Sequence, residues 1–163
     1  MPSKQLLKYL KTGKDIEQRG IRFYTKALKQ VVDPNSKGLL RFLISEEKRH
    51  LDYLKSIEKS LNDSVELPKV NKIKNPVFSK KAYSKIRDKA NAISIFNTAL
   101  EMEVESMEFY MKAAKEVKDR KLKSFLNKLA KWEMGHSKII KKHEDAIYDF
   151  LYWEVRGQGR IEM

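Results

Sequence analysis

The sequence contains no cysteine. That excludes disulfides, thiolate metal sites and cysteine nucleophiles. Glycine and proline are scarce, six and four among 163 residues, and long stretches hold neither. A chain with so few breaks favours helices over strands joined by tight turns. No apolar run is long enough to cross a membrane. The first twenty residues, MPSKQLLKYLKTGKDIEQRG, lack the unbroken apolar stretch of a secretory signal. The expectation is a cytoplasmic protein with no membrane association, of a length that suits one domain with a sizeable core.

Acidic residues are also in deficit. The formal charge is +13, which raises the question of a polyanionic partner. Most of the lysines are scattered as they would be on solvated helix faces. The exception is the segment 69–89, with eight basic residues and one acid, Asp88. It is a candidate dock for an acidic protein. No phosphate-binding loop or nucleic-acid motif accompanies it, so nucleic acid is not the expected partner.

What the chain does have is a repeat. A shift of 86 residues, without a gap, lays the first half on the second. Glu17 falls on Glu103, Phe23-Tyr24 on Phe109-Tyr110, and Ala27 on Ala113. Val31 falls on Val117, Asp33 on Asp119, Leu40 on Leu126 and Leu43 on Leu129. Glu47 and His50 fall on Glu133 and His136. Two of the three histidines therefore sit at one offset, each three residues after a glutamate. A duplicated helical hairpin is the simplest account.

Each half reads as two helices. Leu40, Leu43, Glu47, His50, Leu54, Ile57 and Leu61 alternate steps of three and four, the core stripe of an amphipathic helix. Leu122, Leu126, Leu129, Glu133, His136, Ile140, His143 and Ile147 repeat it. The preceding helices present Leu10, Glu17, Tyr24, Val31 and Phe96, Glu103, Tyr110, Val117 at seven-residue spacing. The predicted helices are 4–32, 36–62, 91–118 and 120–153. Ser36 is the expected cap of the second helix, after the turn Asp33-Pro34-Asn35, and Asp119-Arg120 marks the equivalent turn. Repeat 1 covers about 4–62 and repeat 2 about 91–148, within a domain spanning 1–153 and followed by a tail, 154–163. The crossover 63–90 contains Pro68 and Pro76 and a candidate short helix near 79–88. It is long enough that helix three need not run antiparallel to helix two.

Four glutamates and two histidines thus lie on stripes that are otherwise apolar. Burying carboxylates requires compensation. In Glu-x-x-His both side chains leave one helix face, one turn apart. Two such pairs, with Glu17 and Glu103 from the remaining helices, converge on one volume. Two divalent cations would balance the four carboxylate charges. Glu47 and Glu133 are the expected bridging ligands, Glu17 and Glu103 the terminal ones, with His50 and His136 completing the set. Oxygen and imidazole donors suit iron or manganese and tolerate zinc. His143 lies two turns past His136, ~10 Å along the helix, too far for the same metal. A satisfied or partly exposed histidine is expected there.

The segments Glu17 to Tyr24, Glu47-Lys48-Arg49-His50, Glu103 to Tyr110 and Glu133-Met134-Gly135-His136 resemble the rubrerythrin branch of the ferritin-like superfamily, over roughly residues 4–147. The resemblance implies an all-α, ferritin-like four-helix bundle holding two irons. It also implies tyrosines beside the ligands, here Tyr24 and Tyr110, which would otherwise be core aromatics with satisfied hydroxyls. Two departures stand out. Rubrerythrins commonly carry a C-terminal rubredoxin domain whose iron is held by four cysteines, and no such domain is expected here. They also tend to carry a further glutamate one turn past the helix-three ligand, where this chain has Ser106, matching Gly20 in the first repeat.

The function that the resemblance implies is reduction of peroxide or dioxygen at a di-iron centre, with electrons from a separate, rubredoxin-like donor protein. The alternative is an iron-binding, ferroxidase-type role in iron handling without an external organic substrate. The terminal run Tyr148, Phe150, Leu151, Tyr152, Trp153 either packs on a partner subunit or closes its own bundle. A homodimer is expected, and the long linker between hairpins permits domain swapping.

Overall fold

A computed structural model describes residues 3–63, 76, 78 and 88–158. Four helices make up the described fold: α1, Lys4–Leu28; α2, Pro34–Asp63; α3, Lys89–Glu116; and α4, Arg120–Gln158. The candidate helix near 79–88 and most of the basic 69–89 segment lie outside the described residues, as do the side chain of Trp153 and the end of the tail.

The helix starts have clear local causes. Ser3 caps α1 by accepting from the Leu6 amide at 3.1 Å. The cap of α2 is Asp33, not Ser36: its carboxylate accepts the Ser36 amide at 2.8 Å. Pro34 then opens the helix, where its missing N–H costs nothing. Asp119 does the same for α4 through the Leu122 amide, at 2.8 Å. The first helix ends at Leu28, four residues earlier than its pattern suggests, because the Lys29 and Gln30 amides turn back onto Lys26 and Ala27. Val31 nevertheless stays buried and joins the core.

α1 packs along α2 and α3 along α4, with α1 against α3 and α2 against α4 closing the bundle. Gln5 and Tyr9, at the start of α1, meet Glu116 at the end of α3, so these two helices are antiparallel. Lys14 in α1 meets Glu58 in α2 at 2.5 Å, so that pair is antiparallel too. It follows that α2 and α3 run parallel. The ends joined by the crossover therefore lie at opposite ends of the bundle, as a connection of that length allows.

The core has two apolar parts. One gathers Tyr24, Leu39, Leu40, Leu43, Phe96, Ile140 and Ile147. The other gathers Leu10, Leu54, Ile57, Tyr110, Leu122, Leu126 and Leu129. Each fully buried aliphatic side chain contributes about 1.5–3 kcal/mol. Between these two plugs sits the polar layer that the repeat builds. No helix among the described residues is long and apolar enough to cross a membrane.

Candidate metal centre

All six predicted residues arrive in that layer, each at most 4% exposed. α1 supplies Glu17, α2 supplies Glu47 and His50, α3 supplies Glu103, and α4 supplies Glu133 and His136. Their ligand atoms form two overlapping groups. Glu17, Glu47, His50 and Glu133 make one; Glu47, Glu103, Glu133 and His136 make the other. Glu47 and Glu133 belong to both.

The geometry keeps the repeat's approximate two-fold symmetry. His50 Nδ1 lies 3.0 Å from Glu133 and 3.5 Å from Glu17. His136 Nδ1 lies 3.3 Å from Glu47 and 3.2 Å from Glu103. The two imidazoles stack with centroids 5.2 Å apart and planes 9° from parallel. Tyr24 donates its hydroxyl to Glu103, and Tyr110 donates to Glu17. Each tyrosine thus serves the glutamate of the other repeat.

Protein groups alone divide the four carboxylates into two kinds. Burial, then the charges of Glu133, Glu17 and Glu103, push Glu47 well above the usual carboxylate range. Burial and the charges of Glu17 and Glu103 do the same to Glu133. Burial also opposes ionisation of Glu103, but His136, Glu133 and Tyr24 outweigh it and bring its pKa down to about 2. Glu17 is lowered in the same way, against its burial, by Glu47, His50 and Tyr110. The shared pair is shifted towards its neutral form and the outer pair towards its charged form. Burial and the facing carboxylates push both tyrosine hydroxyls well above their ordinary value, so they remain donors.

Buried oxygens of Glu17, Glu47 and Glu133 have no hydrogen-bond partner. Buried polar atoms are rarely left so. A pair of cations placed among them would satisfy the oxygens and compensate the carboxylate charge, so this donor set fits the metals that the spacing implies. The model for the rubrerythrin family matches residues 8–144, which takes in all six residues. The chain belongs to the rubrerythrin family. No curated protein and no solved structure matches it significantly. Members of the rubrerythrin family typically hold two irons.

Around this centre are features that the sequence pattern did not single out. Glu46 is 8% exposed and lies 3.5 Å from His136 Nε2, the ring edge turned away from the carboxylates. Arg49 holds it at 2.6 Å. At the equivalent place in the other repeat stands Trp132, stacked on His50 with centroids 5.2 Å apart and 15° between planes. Tyr53 packs against Trp132 in turn. Because Glu46 and Trp132 share no chemistry, a search for self-similar positions passes over both. The i, i+4 spacing of Glu46 and His50 was the available signal. His143 is the satisfied histidine of the two expected alternatives: it is fully buried, and Ser36 Oγ lies 3.0 Å from its Nε2.

Proposed function

We propose that this chain is a di-iron oxidoreductase that reduces peroxide or dioxygen with electrons from a separate carrier protein. The overlap of the two ligand groups at Glu47 and Glu133 is the observation that carries this reading. In it, Glu47 and Glu133 would be common to two metal ions, with Glu17 and His50 the further residues that would hold one and Glu103 and His136 those that would hold the other. Iron is the expected metal, with manganese or zinc able to occupy the same donors. Bound there, two irons would supply two electrons and Lewis acidity to an O–O bond.

The protein's own groups do the rest. Glu47 and Glu133, whose burial beside other carboxylates disfavours their charge, would hold the cations as carboxylates. Tyr24 and Tyr110 hold the outer carboxylates in place through their hydroxyls. The two apolar plugs keep bulk water from both ends of the layer. Trp132, half-buried and stacked on His50, offers a conducting contact from the surface for a donor such as a rubredoxin-like protein.

Anomalous scattering on protein purified without added metal tests the site, with iron at two adjacent positions expected. Stopped-flow oxidation tests the reaction. Reduced, iron-loaded protein should react with hydrogen peroxide or dioxygen much faster than free ferrous iron does; equal rates sink the enzymatic reading. Retention of both irons after turnover separates it from iron handling, in which iron leaves the protein.

A further inference from the structure

Between α1 and α3, on the open side of the centre, lies a cavity of about 370 Å³. Its inner wall is Glu47, Glu103 and Tyr24, its flanks are Ile16 and Met102, and Arg19 and Glu105 line it as well. Gly20 and Ser106, which occupy equivalent places in the two repeats, leave the room. A Cβ at Gly20 would already lie 3.5 Å from the Glu47 side chain. Ser106 turns its hydroxyl back to the Met102 carbonyl at 2.9 Å, so it puts no donor into the space.

The size is the first clue. A water takes up about 30 Å³ of liquid, so a peroxide needs on the order of 60 Å³. The cavity is several times larger and falls in the range of pockets for organic ligands, about 300–1,000 Å³. The distribution of polarity is the second. Polar atoms of the ligand set end the cavity on one side, Ile16 and Met102 give it apolar sides, and the charged, exposed Arg19 and Glu105 line it towards solvent. That gradient suits a molecule with a polar oxygen head and a hydrocarbon body.

We infer that the cavity admits an organic hydroperoxide, with its O–O group at Glu47 and Glu103 and its hydrocarbon against Ile16 and Met102. This rests on the reductase reading and names the substrate class for it. The balance is ROOH plus two electrons and two protons giving ROH and water. The O–O bond breaks, the oxygen attached to carbon leaves in the alcohol, and the other leaves as water. The carrier protein supplies the electrons and solvent the protons.

The test pairs a reaction with a binding measurement. Reduced, iron-loaded protein is mixed in a stopped-flow instrument with cumene hydroperoxide and, separately, with hydrogen peroxide. Both should oxidise it, and Ser106→Leu should lower the cumene hydroperoxide rate at least tenfold relative to the hydrogen peroxide rate. Cumyl alcohol, the product, is titrated into protein carrying 13C-methyl methionine, with no metal added. The Met102 methyl signal should shift, and the exposed Met111 and Met134 should not. Reaction with hydrogen peroxide alone, with no Met102 shift, overturns this inference and leaves the reductase reading standing. An Ser106→Leu variant that slows both peroxides equally also overturns it. Failure of both peroxides to react overturns the two together.

Discussion

His50 and His136 occupy equivalent places in the repeat and both face Glu47 and Glu133, yet their outer sides meet different cover. Trp132 lies flat on His50, whereas Glu46 meets the edge of His136. Further out the contrast recurs. Ser36 and His143 pair at one end of the bundle, where the equivalent positions of the other end are Leu122 and Ile57, both buried in an apolar cluster. The ring of ligands is the same in both halves, and its four carboxylates would balance two divalent cations. The surroundings have only to fill space and exclude water, and several chemistries do that. The symmetry of the centre is therefore a property of its innermost layer.

The largest effects should come from breaking the layer itself. Glu133→Ala removes an oxygen donor from both ligand groups and should lose both metals. Glu17→Ala touches one group and should leave one metal bound. Metal analysis of the purified variants checks this, and Glu103→Ala should mirror Glu17→Ala. Equal stoichiometry in all three would end the distinction between shared and outer carboxylates.

Next in size is the polar end of the bundle. Burial, opposed only by Asp33, lowers the His143 pKa to about 4, against about 6.5 in an unfolded chain. Between those values the unfolded state binds more protons, so stability rises with pH. The contribution should be complete above about pH 6.5 and lost as pH falls towards 4, amounting to at most about 3 kcal/mol. The double variant Ser36→Leu, His143→Ile copies the other repeat. Urea unfolding at pH 4.5 and pH 7 should show its stability changing less between the two than that of the parent chain.

The covers of the two histidines should differ by a smaller step. Removing a carboxylate that orients a metal-bound histidine typically weakens metal binding about 10- to 100-fold. Glu46→Ala should do this to one of two cobalt(II) equivalents in a titration followed by visible absorption. Trp132→Leu should change both affinities by less than about threefold while slowing reduction by a carrier protein. The smallest effect belongs to Lys14 and Glu58, a partly exposed ion pair whose equivalents are Leu100 and Glu144. Lys14→Leu should cost under about 1 kcal/mol in urea unfolding.

The six polar residues were readable from sequence because a helix stripe of period 3.6 tolerates few such intrusions, and the repeat showed each one twice. The four helices were readable for the same reason. Their ends were less so. Pro34 looked like a break, and Ser36 after it like a cap, whereas proline at the first helical position is a start and Asp33 takes the cap. Val31 kept the spacing of the first stripe after the helix had ended, because burial follows position in the core and not backbone type. Glu46 meets His136 and Trp132 meets His50, each across to a different helix, so the repeat pattern does not join them, and only the i, i+4 spacing of Glu46 and His50 hints at the first. Gly20 and Ser106 read as the absence of a carboxylate. That they open a cavity depends on α1 and α3 facing each other.

The crossed tyrosines bear on how the centre comes into being. Tyr24 holds the glutamate of the second hairpin and Tyr110 that of the first, so neither hairpin closes half of the site alone. The centre is in effect a dimer interface folded into one polypeptide. The crossover sets the effective concentration of one hairpin around the other. A chain cut between residues 64 and 87 would turn a first-order assembly into a second-order one, and metal capture would then depend on protein concentration.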